Sequence, residues 1–153
     1  MAIDDSPWNV AHDQLKDSMQ REIGIMREVL ANMLQEELSI QLNDEGGLDQ
    51  ILSERSLMIE RLGTLRQARL QATKKLEELG ATQNGGKLLA DDVNNCEILS
   101  LSEQIMALTE RMNAQNCRNN LLFQHMKYMP PLMPQPKQNL PHTQIGVINK
   151  GYE

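Results

Sequence analysis

The sequence predicts an all-α fold, and three observations carry that reading. Apolar residues recur at steps of three and four through three long stretches, the spacing that lines one face of a helix. Trp8, Phe123, Tyr128 and Tyr152 are the only aromatic residues, whereas sheet cores and α/β enzyme cores lean on aromatic and β-branched side chains. The 40% apolar content, carried mainly by Leu, Ile and Met beside 24% charge, suits helices with narrow apolar seams. At 153 residues one domain is expected. Residues 1–128 form it in this reading, and 129–153 form a tail.

The first helix is expected over about 7–42. Ser6 can accept from the orphan N–H groups of a first turn, and Pro7 has no donor to lose at the first helical position. Beyond them Leu15, Met19, Ile23, Met26, Leu30, Met33, Leu34 and Leu38 make an apolar face. Gly24 sits inside it, a position that costs about 1 kcal/mol relative to alanine. Asn43-Asp44-Glu45-Gly46-Gly47 reads as the turn that ends it.

The second helix is expected over about 48–79. Its seam is Leu48, Ile51, Leu52, Met58, Ile59, Leu62, Leu65, Ala72, Leu76 and Leu79, interrupted by Arg55 and Arg69. From Met58 the steps approach the alternating four-three period of a coiled coil. Gly80 opens the polar stretch that stops it.

The third helix is expected over about 91–128, starting at Asp91 or Asp92, where a carboxylate favours the positive end of the helix dipole. Ile98, Leu101, Ile105, Leu108 and Met112 form a seam that continues through Gln115 and Asn119 to Leu122 and Met126. Asn113, Asn116 and Asn120 flank that polar interruption, which is unusual because asparagine competes for backbone hydrogen bonds inside helices. Pro130-Pro131 ends the helix. Five of the six prolines fall between Pro130 and Pro141, which predicts an extended, flexible tail. Short connections make neighbouring helices antiparallel, so the expected architecture is an elongated antiparallel three-helix bundle, or coiled-coil hairpin. A seam left uncovered invites a partner, a second copy of the chain included.

Several function classes recede on composition and spacing. A net charge of −6 opposes binding by phosphate neutralisation. Arg55, Arg61, Arg66, Arg69, Lys74 and Lys75 lack interleaved aromatic residues, and read as Glu–Arg pairs on an exposed helix face. No run is long and apolar enough to cross a bilayer, and the acidic N-terminus is unlike a secretion signal. Cys96 and Cys117, if on one helix, stand roughly 30 Å apart, too far for a disulfide, so reduced thiols and a cytoplasmic setting are expected. His12, His125 and His142 show no metal-ligand spacing, and neither Gly-Gly pair begins a phosphate loop. Glu36-Glu37 and Glu77-Glu78 read as solvated faces. No catalytic residue, metal or cofactor is expected. Met106, Met112, Met126, Met129 and Met133 cluster late in the chain, and methionine-rich surfaces suit helix capture.

On these residues the chain resembles the FlgN-like export chaperones, which escort hook–filament junction proteins to the flagellar type III export machine. The resemblance rests on a Leu- and Met-rich first helix and on Ile51-Leu-Ser-Glu-Arg-Ser-Leu-Met-Ile-Glu-Arg-Leu62. Its strongest part is Leu108-Thr-Glu-Arg-Met-Asn-Ala-Gln-Asn-Cys-Arg-Asn-Asn-Leu-Leu122, and it covers residues 10–128. It implies that the third helix hides the C-terminal amphipathic helix of a secreted client until delivery. Leu108, Met112, Asn113, Asn116, Asn120, Leu121, Leu122, Phe123 and Met126 would form the client-binding side. The family docks on the export gate's cytoplasmic domain through a tail tyrosine. Tyr128 and Tyr152 are the candidates here, and neither has the family's mid-tail setting. The resemblance does not separate a flagellar from an injectisome system. Two rival readings follow from the residues: a structural coiled-coil scaffold of a secretion or export ATPase complex, and an adaptor presenting Pro131-Leu-Met-Pro134 to a polyproline-recognising domain.

Overall fold

The computed structural model describes residues 6–82 and 93–128. They form three helices, α1 (Pro7–Leu42), α2 (Glu45–Thr82) and α3 (Val93–Tyr128), with no strand among the described residues. The chain is all-α. The expected starts of the third helix, Asp91 and Asp92, and the Pro-rich tail lie outside the described residues.

The start of α1 is as its sequence dictates. Ser6 Oγ accepts from Asn9 N–H at 3.3 Å, and Ser6 O accepts from Val10 N–H at 3.0 Å. Its end is a Schellman turn. Asn43 adopts a left-handed φ of 58°, Asn43 N–H donates to Ile40 O at 3.1 Å, and Asp44 N–H donates to Ser39 O at 2.9 Å.

Asp44 then caps α2, which starts at Glu45, three residues before the expected start. Its carboxylate accepts from Gly47 N–H at 3.0 Å and its carbonyl from Leu48 N–H at 3.0 Å. Gly46 and Gly47 are therefore first-turn residues, because a carboxylate cap outweighs their weak helix propensity. A Cβ on Gly47 would fall on that capping carboxylate. At the far end α2 runs past Gly80 to Thr82. Gly80 is buried, with the Trp8 ring 3.6 Å from where its Cβ would stand. It is a packing glycine, and the expected stop moves accordingly. Gly24, by contrast, faces open space and is simply tolerated.

The helices build two compact units, one from Met1–Ile25 with Arg61–Ala107 and one from Met26–Glu60 with Leu108–Glu153. In the first, Ala11, Leu15, Met19 and Ile23 of α1 are buried, with Leu62, Ala72 and Leu76 of α2 and Ile105 of α3. Ile98 and Leu101 are only half-buried. Lys16 pairs with Glu97 of α3. In the second unit Met26, Val29, Met33 and Ile40 pack with Leu48, Ile51, Leu52, Leu108, Met112 and Phe123. Within each unit two contacts set α2 antiparallel to α1: Glu22 with Arg66 and Trp8 with Gly80 in the first, Glu36 with Arg55 and Ile40 clustered with Leu48 in the second.

Two parts of the α1 and α2 patterns depart from expectation. Leu34 and Leu38 are 51% and 55% exposed, since successive four-residue steps from Leu30 rotate off the buried face. Glu22 and Glu36 take core positions in their stead, each with no exposed surface. Arg66 and Arg69 reach Glu22 at 3.3 and 3.1 Å, and Arg55 reaches Glu36 at 2.5 Å. The basic run on α2 is thus in part a set of cross-helix partners for buried carboxylates, and Glu36 is not on a solvated face. Glu77 and Glu78 are exposed as expected.

Candidate functional site

The second unit contains the α3 stretch that the sequence singles out. Leu108, Met112, Asn116 and Phe123 face inward and are buried, together with Asn119. Phe123 closes a cluster with Ile40, Leu48 and Leu52, against which Leu122 and Met126 pack half-covered. Asn120 is half-buried, Asn113 is exposed, and Leu121 stands 67% exposed on the side of α3 away from Phe123. Uncovered apolar surface in this stretch therefore centres on Leu121, with the free edges of Leu122 and Met126. Met106, in the first unit, is 65% exposed. Tyr128 is the last residue of α3, and Tyr152, Met129, Met133 and the Pro131–Pro134 motif lie outside the described residues.

The asparagines divide into roles that spacing alone does not separate. Asn119 Nδ2 donates to Met33 O at 2.8 Å and to Glu36 Oε1 at 2.7 Å. Its own Oδ1 accepts from Gln115 at 2.9 Å. Across the hairpin, Arg55 Nε donates to Asn32 Oδ1 at 2.6 Å, and Asn32 Nδ2 donates to Ile51 O at 3.0 Å. Asn32, Glu36, Arg55 and Asn119 thus tie three helices through one buried polar layer. Such a layer adds little net stability over apolar packing, yet it penalises any register that leaves a member unpaired.

Beside that layer lies a second, wetter one. Glu37 accepts from Arg118 Nε at 2.7 Å and from Gln115 Nε2 at 2.6 Å. Both bonds favour the charged carboxylate and hold its pKa below the ordinary glutamate range, the Arg118 bond most strongly, while partial burial works in the opposite direction.

Sequence reasoning missed the buried network because it assigned charge to solvent. A signal was present: Leu15, Glu22, Val29 and Glu36 repeat every seven residues, and so do Leu48, Arg55, Leu62, Arg69 and Leu76. The charged residues hold the same phase as the apolar ones.

Other sites are sparse. A shallow depression of about 370 Å³ in the first unit is lined by Gln14, Asp17, Ser18, Ala68, Gln71, Ala72 and Lys75. Among the described residues no cluster of His, Cys, Asp and Glu could hold a metal ion, and no helix is long and apolar enough to cross a membrane. Cys96 and Cys117 both sit exposed on α3. No protein-family model, curated protein or solved structure matches the chain.

Proposed function

We propose that this chain is a cytoplasmic, non-enzymatic export chaperone of the FlgN-like type. It binds the C-terminal amphipathic helix of a hook–filament junction protein or a related secreted client. It prevents premature assembly and delivers the client to the cytoplasmic domain of the export gate. The reading rests on the resemblance of residues 10–128, and one observation carries it: the C-terminal part of α3 leaves Leu121 exposed beside the half-covered Leu122 and Met126. An amphipathic client helix would lay its apolar face there, as helix-in-groove recognition does.

Calorimetry with C-terminal peptides of candidate clients from the same genome tests this. Saturable binding with a negative heat-capacity change is expected. Leu121→Asp, at a position the fold does not use, should weaken it about tenfold or more. Folded, monodisperse protein that binds none of the peptides would sink the proposal. The rival reading, a structural coiled-coil scaffold, is favoured by the seven-residue repeat along α2 in which Leu48, Arg55, Leu62 and Leu76 are buried and Arg69 is half-buried, a pattern such proteins share. It requires no client at all, so the same titration separates the two.

A further inference from the structure

We infer that Asn119 is a positioning residue: it fixes the rotation of α3 and so decides which side chain the C-terminal part of that helix presents to a client. The apolar residues do not settle that rotation here. Leu121, Leu122 and Phe123 are consecutive, so they point about 100° apart, and turning α3 by part of that step exchanges one covered apolar side chain for another. Upstream, Leu108 and Met112 hold the seam, but Gln115, Asn116 and Asn119 stand in place of apolar residues over the next two turns. The observed setting buries Phe123, half-covers Leu122 and leaves Leu121 67% exposed. Hydrophobic burial is non-directional and discriminates weakly between such settings.

Directed bonds supply what the apolar residues lack. Asn119 has no exposed surface, and its Nδ2 donates twice to α1, to Met33 O at 2.8 Å and to Glu36 Oε1 at 2.7 Å. Its Oδ1 accepts from Gln115 at 2.9 Å, and Gln115 also donates to Glu37 at 2.6 Å. Arg118 joins the same carboxylate at 2.7 Å. One turn of α3, from Gln115 to Asn119, is thus clamped to one turn of α1, from Met33 to Glu37. Rotating α3 by about 30° would carry a side-chain atom about 5 Å from the axis sideways by about 2.5 Å, beyond hydrogen-bonding reach. A sealed amide would then lose both acceptors at once, which makes the observed setting the preferred one. Asn119 acts through Leu121, two residues further on. Its role toward a client rests on the chaperone reading, whereas the rotation lock does not.

Thiol labelling of the full chain reads the rotation directly. Cys96→Ser and Cys117→Ser clear the background, Leu121→Cys or Leu122→Cys is added singly, and the rate of maleimide modification is measured. With Asn119 in place, Leu121→Cys should react about tenfold faster than Leu122→Cys. Asn119→Leu keeps apolar volume on the seam but removes the directed bonds, and the ratio should fall to about twofold or less. Gln115→Leu leaves the Glu36–Arg55 pair and the bonds of Asn119 to α1 in place, so it should lower the ratio less. An unchanged ratio in Asn119→Leu protein of wild-type helical content overturns the inference; should that variant unfold, an unchanged ratio in Gln115→Leu does so. Client peptides give a second readout, and Asn119→Leu should weaken their binding about tenfold although Leu121 is still present. Weaker peptide binding with an unchanged labelling ratio also overturns the inference. A collapsed ratio in a chain whose wild type binds no peptide upholds the lock and removes the chaperone reading instead.

Discussion

Both units bury a glutamate of α1 against arginines of α2, and the two solutions differ in their access to water. In the first unit Glu22 is sealed, but Arg66 and Arg69 keep 20% and 29% of their side-chain surface exposed. In the second unit Glu36 and Arg55 are both sealed, at 0% and 2%, and Arg55 donates to Asn32 while Glu36 accepts from Asn119. The same residue types therefore do different work. A cation that can still reach water tolerates loss of its partner, whereas a sealed one must be unfolded or hydrated at high cost. The wet triad is a tolerant seam, and the dry layer sets register.

The same substitution in both places is the sharpest way to break this comparison. Glu36→Gln removes the carboxylate that pairs with buried Arg55 and should cost about 3–5 kcal/mol in urea unfolding, a large part of an ordinary domain's stability. Replacing the whole dry pair, Glu36→Leu with Arg55→Met, should recover part of that loss because no charge stays buried, but not all of it, because Asn32 Oδ1 then loses its donor. If Glu36→Gln costs under about 1 kcal/mol, water reaches the layer and the contrast disappears. Glu22→Gln should cost less, about 1–2 kcal/mol, because Arg66 and Arg69 turn partly to solvent. Trp8, the sole tryptophan, lies against Gly80 in the first unit, so its fluorescence follows that unit while circular dichroism follows both. Non-coincident transitions in the Glu36→Gln protein would show the second unit unfolding by itself.

Two smaller effects sharpen the picture. Gly24 and Gly63 stand in helix interiors of the first unit with open space where a Cβ would go. Alanine at either should stabilise by about 0.5–1 kcal/mol, and a loss of stability would mean that the positions are not open. The smallest effect concerns pH. The native Glu37 carboxyl titrates below its unfolded value of about 4.3. Its contribution is therefore fully present above that value and lost as pH falls through the depressed native pKa. The stability difference between wild type and Glu37→Gln should be constant near neutral pH and shrink in acid. Arg118 is 62% exposed, so the difference is a few tenths of a kcal/mol in size. A difference that grows in acid would contradict the pairing.

Much of the fold is legible in the chain. Leu15, Met19, Ile23, Met26 and Met33 identify the buried face of α1, and Ser6-Pro7 and Leu42-Asn43 bound it correctly. Helix ends that depend on a tertiary or capping partner are less legible. Gly46-Gly47 reads as a break until Asp44 is seen to cap it, and Gly80 reads as a stop until Trp8 covers it. The buried charges were hidden because periodicity of apolar residues alone treats a carboxylate as an exit from the core. Whether Glu36 leaves the core depends on Arg55 and Asn119, which are distant in sequence. On α3 the apolar spacing finds Leu108, Met112 and Phe123, but spacing cannot say which late residues point outward. The exposure of Leu121 follows from where α1 and α2 stand.

The turn at Asn43-Asp44 has an evolutionary corollary. One residue finishes a helix and the next starts another, so no slack exists between α1 and α2. Inserting or deleting one residue there would rotate α2 by about 100° and slide it about 1.5 Å. Arg55 would swing away from Glu36, and Arg66 and Arg69 away from Glu22, all in one step. Length changes should therefore be purged from this hairpin far more strictly than substitutions.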